Sequence, residues 1–72
     1  MASYTEKYGD VFSFHKERAR CLENTDAFWQ ETSRRMTEIS IKYHADPFVT
    51  DMLVSVYGEL ERQAVGDRTS GE

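Results

Sequence analysis

Apolar residues recur at intervals of three and four along most of the chain, the spacing that gathers side chains on one side of a helix. In the first segment, about 5–22, Tyr8, Val11, Phe12, His15, Ala19 and Leu22 share a face. Thr5 can cap its start, with Glu6 in the first turn. Gly9 weakens the opening turns and moves the expected start towards Asp10. The run ENTD at 23–26 reads as a turn and cap. The second segment, about 25–44, carries the most continuous stripe: Phe28, Trp29, Thr32, Met36, Ile39 and Tyr43. Asn24 or Thr25 can cap it, and Asp26 suits the positive end of the helix dipole. Glu31 with Arg35, and Glu38 with Lys42, stand four apart with the acid first, predicting surface pairs worth roughly a few tenths of a kcal/mol each.

The third segment opens with Asp46 as N-cap and Pro47 at the first helical position. It runs to about Val65 with a broad face of Phe48, Val49, Met52, Leu53, Val56, Tyr57, Leu60 and Ala64. Gly66 reads as its stop, and DRTSGE at 67–72 as a flexible polar tail. The scarcity of turn signals within the patterned stretches argues against strands. None of the stripes can be buried alone, so the helices must pack. The expectation is one all-α domain over 1–66, a small three-helix bundle or open three-helix array, with a core of Phe12, Trp29, Met36, Ile39, Phe48, Met52, Val56 and Leu60.

Three apolar residues fall off these stripes, one per helix: Phe14, Ile41 and Val54. Single exposed apolar residues are ordinary. One on each helix, in a chain this short, points to a second surface that another molecule covers. Val54 and Gly58 are one helical turn apart, and a helix-interior glycine costs roughly 1 kcal/mol relative to alanine. That pair could admit a close helix approach. Phe14 and Arg18 mark a second candidate patch beside Cys21. The expected protein-interaction residues are therefore Phe14, Arg18, Ile41, Val54 and Gly58.

Length strengthens that expectation. A chain of 72 residues buries only about 60% of its unfolded surface, so a homodimer or larger homo-oligomer would add burial that the monomer lacks. The formal charge of −4 is uneven: residues 1–44 are neutral, and 45–72 carry six acids against two bases. The acidic third repels phosphate backbones and favours basic partners. One cysteine excludes an internal disulfide framework and fits a reducing compartment. No segment has the roughly 20 apolar residues of a membrane span, and the first ten residues lack a secretion-signal core. Cytoplasmic residence without membrane association is the expectation.

Catalytic ingredients are few. His15 lies on the first stripe and His44 at the end of the second helix, where a histidine suits the dipole. Cys21 and His15 are six residues apart, about 120° round one helix, too far round for a thiol–imidazole pair. No ligand spacing resembles a zinc site, and there is no glycine-rich phosphate loop. An enzyme, a metal and a cofactor are not expected. Helices two and three loosely suggest a helix-turn-helix, but the third offers Thr50, Asp51, Ser55, Glu59, Glu61 and Arg62 where a DNA reader needs bases and amides. A small DNA-binding regulator is thus a weaker alternative. An acidic inhibitor of a nucleic-acid enzyme, presenting Asp51, Glu59 and Glu61 to a basic groove, is the other.

The runs FSFHKERA, DAFWQET and KYHADPFVTDMLVSVYGELER, spread between Val11 and Arg62, resemble small uncharacterised proteins of Firmicutes phages and mobile elements. The resemblance is one of pattern and carries no catalytic motif. It implies an accessory or host-interaction role, with a larger host protein as the partner.

Overall fold

The computed structural model describes the backbone of residues 3–69 and the side chains of residues 3–66. Three helices account for nearly all of it: α1 (Tyr4–Arg20), α2 (Asp26–Lys42) and α3 (Pro47–Thr69). Each packs against the other two, in a bundle of 45 × 23 × 18 Å. No strand occurs among the described residues. None of these helices is long and apolar enough to cross a membrane.

Each boundary has a local cause. Ser3, not Thr5, caps α1: its hydroxyl accepts from the Glu6 amide at 3.2 Å, and the Glu6 carboxylate accepts from the Ser3 amide at 3.3 Å. This reciprocal capping box satisfies two orphan donors and carries the helix through Gly9, so it does not wait until Asp10. Thr25 caps α2 by accepting from the Phe28 amide at 3.2 Å. At the other end, the His44 amide donates to the Ile41 carbonyl and the Ala45 amide to the Ser40 carbonyl, at 3.1 and 2.8 Å. This is a Schellman closure, built without glycine. His44 and Ala45 both take left-handed backbone, with φ of 55° and 57°. That conformation costs a non-glycine residue roughly 1–2 kcal/mol. Asp46 then caps α3, accepting from the Val49 amide at 3.2 Å. Gly66 does not end α3, because its backbone stays helical and the helix reaches Thr69. Of the expected tail, residues 67–69 continue α3 and 70–72 lie outside the described residues.

The core is built from Val11 and Phe14 of α1, Tyr43 at the end of α2, and Val49 and Leu53 of α3. Met36, Ile39, Met52 and Val56 pack around them, partly buried. Phe28, Leu60 and Ala64 close the far end. The expected stripes of α2 and α3 therefore face inward, although Trp29 and Phe48 are only half-buried. On α1 the expected face is wrong. Phe12 is 64% exposed and Tyr8 57%, while Phe14 is fully enclosed. The helix turns inward the row Lys7, Val11, Phe14 and Arg18, and Val11 alone is common to both rows.

The reason lies in partners rather than hydrophobicity. Lys7 reaches Asp46 at 3.2 Å. Arg18 stacks over the Phe28 ring at 5.0 Å and donates to the Thr32 hydroxyl at 3.4 Å. The cations of α2 complete the same pattern. Arg35 crosses to Glu17 at 2.5 Å and Lys42 to Asp10 at 2.6 Å, so the expected Glu31–Arg35 and Glu38–Lys42 pairs do not form. Arg34 takes both Glu31 and Glu38 instead.

Candidate interaction surface

On the side away from α1, α2 and α3 leave an open groove of about 450 Å³. Ser33, Met36 and Thr37 form one wall, and Val54, Tyr57, Gly58 and Glu61 the other. Val54 is 60% exposed at its edge. Ile41, 70% exposed, follows Thr37 by one turn and extends the α2 wall. A Cβ built on Gly58 would meet only the tip of the flexible Arg62 side chain, at 3.6 Å. No packing within the chain therefore demands glycine there.

Of the expected interaction residues, Val54 and Gly58 lie in this groove on its α3 wall, and Ile41 lies outside the lining, one turn beyond Thr37 on α2. It takes Phe14 and Arg18 away. Both are buried, at 0% and 8% exposure, and they cannot present a patch beside Cys21. Cys21 is exposed, at a shallow hollow with Ser13, Lys16, Glu17 and Arg20. Of the acidic residues, Asp51 is exposed and Glu61 lines the groove. Glu59 is held by Arg62 at 2.8 Å. His15 is half-buried and His44 exposed. No cluster of three or more metal-ligating side chains occurs among the described residues.

Sequence reasoning missed a second surface. Tyr4, Tyr8 and Phe12 line up at four-residue intervals, each more than half exposed. The Phe48 ring sets its edge-to-face contacts with Tyr4 and Tyr8, centroids 5.5 Å apart in each case. Each step of four turns about 40° round the helix, and Lys16, its ammonium 5.7 Å from the Phe12 ring centre, and Arg20 continue this winding row. Neither Lys16 nor Arg20 forms an ion pair among the described residues, whereas Lys7, Arg34, Arg35, Lys42 and Arg62 all do. The four-residue period 4, 8, 12, 16, 20 was present in the sequence, hidden by its overlap with the apolar stripe.

The titratable groups shifted from their ordinary values belong to the scaffold. Hydrogen bonds from Lys42 and then Tyr43 hold the Asp10 carboxyl below the usual range. The same contacts raise Lys42 and Tyr43. The Tyr43 hydroxyl is 2.5 Å from Asp10 and 3.1 Å from the Glu6 carbonyl, at the edge of the core. Arg34 lowers Glu31 on the outer face of α2. These are ties between and along helices; Asp10 and Lys42 also border an open hollow of about 240 Å³ with Ser13, Phe14, Arg35, Glu38 and Ile39.

No family model matches the chain, and no curated protein or solved structure matches it significantly.

Proposed function

We propose that this chain is a non-enzymatic protein-binding domain that associates with itself, as a homodimer or larger homo-oligomer, through the outer face of α2 and α3. The observation that carries this reading is the apolar groove with Gly58 in its wall. A glycine inside a helix costs stability, and this one relieves no contact within the chain. In the groove wall it leaves room for a partner's side chains to approach the α3 backbone. Val54 supplies apolar contact beside it, and Ile41 extends the surface. Charged side chains at the rim, Glu61 among them, would set orientation more than affinity.

The test is solution mass by light scattering after gel filtration, on the wild type and Val54→Asp. The wild type is expected to exceed the mass of one chain, and the variant to return to it. Val54 is exposed, so the substitution leaves the core intact. A wild type that stays monomeric throughout would overturn the reading.

A second reading has one observation in its favour: Asp51 and Glu61 carry no ion pair among the described residues. An acidic inhibitor of a nucleic-acid enzyme would use such groups against a basic groove. Its binding would weaken steeply with salt, whereas apolar self-association survives salt. A DNA-binding regulator would instead show direct, salt-sensitive affinity for DNA.

A further inference from the structure

We infer that the occupant of the α2–α3 groove is the aromatic row of α1 from a second copy, a head-to-tail contact. The inference rests on the self-association proposed above and names the surface that completes it. Three observations converge on it. First, the groove is apolar along Met36, Val54 and Tyr57 and acidic at Glu61, with the Arg62 guanidinium, held by Glu59, beside Gly58. The row is aromatic at Tyr4, Tyr8 and Phe12 and basic at Lys16 and Arg20. Second, the charges that would meet are unused within the chain: Lys16, Arg20 and Glu61 make no ion pair among the described residues. Third, the spacings agree. Val54 to Glu61 rises about 10 Å along α3, and Phe12 to Lys16 and Arg20 about 6 and 12 Å along α1. Phe12 seated over Val54 therefore puts Lys16 and Arg20 on either side of Glu61's level when the helices run parallel, with Lys16 about 40° round α1 from Phe12 and Arg20 about 80°.

The contact cannot close within one molecule. The row abuts α3 at Phe48, and the groove residues of α3 stand on average about 130° round the helix from there. One chain thus presents a row on one side and a groove on another. Such a contact is heterologous: it propagates into an open array or closes as a ring. It is also modest in area. Burying a whole aromatic side chain removes about 150–250 Å², so the exposed parts of three rings supply on the order of 300–500 Å² at most, with Tyr8 and Tyr4 about 6 and 12 Å before Phe12, towards the start of α3. That area is about half of the ~800 Å² per partner in a standard interface, and association in the micromolar range or weaker is expected.

The experiment mixes two variants that each lose one half of the contact. Phe12→Asp removes the row and keeps the groove; Val54→Asp removes the groove and keeps the row. Both positions are more than half exposed, and matching thermal melts confirm that each variant is folded. Mass is followed by sedimentation up to hundreds of micromolar. The wild type is expected to grow past a dimer with concentration, and each variant alone to stay monomeric. The equimolar mixture should form a 1:1 pair that goes no further, because one usable row and one usable groove remain in it. Lys16→Glu and Glu61→Lys should each weaken association and restore it when mixed. A wild type that associates while the mixed variants stay monomeric overturns the head-to-tail contact and leaves self-association standing. A monomeric wild type overturns both.

Discussion

Phe12 and Phe14 are two residues apart on one helix and have opposite fates: one is 64% exposed, the other fully enclosed. Apolarity cannot separate them. What separates them is the company each keeps along the helix. The row through Phe14 includes Lys7 and Arg18, with Asp10 beside it: Lys7 pairs with Asp46 and Asp10 with Lys42, while Arg18 makes no ion pair among the described residues but stacks on Phe28 and donates to Thr32. The row through Phe12 ends in Lys16 and Arg20, and neither is paired among the described residues. The buried face of α1 is the one whose charges meet most of their partners across the bundle. The more apolar face can be the one left outside.

The sharpest way to break this comparison is to truncate both rings. Phe14→Ala should cost about 3–5 kcal/mol, the range for a buried aromatic that leaves a cavity. In a domain this small that removes most of the stability. Phe12→Ala should stay within about 0.5 kcal/mol in the dilute monomer, as surface substitutions do. Urea unfolding at micromolar concentration reads both. Comparable losses would mean that α1 is rotated from the orientation described above.

The second probe asks whether Arg18 is inside for its charge or for its stem. Its guanidinium stacks on Phe28 and bonds to Thr32, but the Nε is buried without a partner. An unsatisfied buried donor costs roughly 1–3 kcal/mol. The Thr32 hydroxyl already donates to the Phe28 carbonyl at 2.8 Å, so it loses little if Arg18 goes. Arg18→Met keeps the stem's packing and removes the lone donor. It should leave stability unchanged or raise it by about 1 kcal/mol, the usual direction when a hydrophobic residue of similar volume replaces a buried ion. A loss above 2 kcal/mol would show that the cation itself anchors α1.

Gly9 separates the two faces without belonging to either. Space around it is open: a Cβ there would meet nothing within 4 Å. Gly9→Ala should add about 0.8–1 kcal/mol through helix propensity alone, a rise in Tm of roughly 4–8 °C. Gly58→Ala should add a comparable amount to the monomer and weaken its self-association. Thermal melts at low and high concentration separate the two effects.

The same contrast explains what could be read from the chain. The stripes of α2 and α3 were legible because their inward rows are continuous: Phe28, Thr32 and Tyr43 on one, Val49, Leu53, Leu60 and Ala64 on the other. Asp46 and Thr25 were legible as caps because capping is local. So was the S-Y-T-E capping box at 3–6, which a start at Thr5 overlooked. The inward face of α1 was not legible. It depends on Asp46, Thr32, Asp10 and Glu17 meeting cations between 14 and 39 residues away, or near the reverse turn, and no periodicity encodes those pairings. The groove was half legible: Val54 and Gly58 stood out, but the walls from Met36 and Tyr57 needed the crossing of two helices.

The smallest expected effect is a pH dependence on the partnered side of α1. Asp10 titrates below its ordinary value near 3.8, chiefly because Lys42 donates to it and then because Tyr43 does. Its contribution is therefore present above that ordinary value and lost as pH falls through the lowered one. Lys42 and Tyr43 are raised above their ordinary 10.5 and 10.0, mainly by the same carboxylate. Their contributions are complete below those values and lost as pH climbs through the raised ones. The Tm should thus be flattest between about pH 4 and pH 10 and fall on both sides. The drop should be modest, because Lys42 and Asp10 remain in contact with water. Asp10→Asn should lower Tm at neutral pH and flatten both limbs, leaving at acid pH the dependence that Glu31 contributes through Arg34. Equal limbs in variant and wild type would mean that Asp10 does not tie α1 to the end of α2 in solution, and the inward rotation of Phe14 would then rest on packing alone.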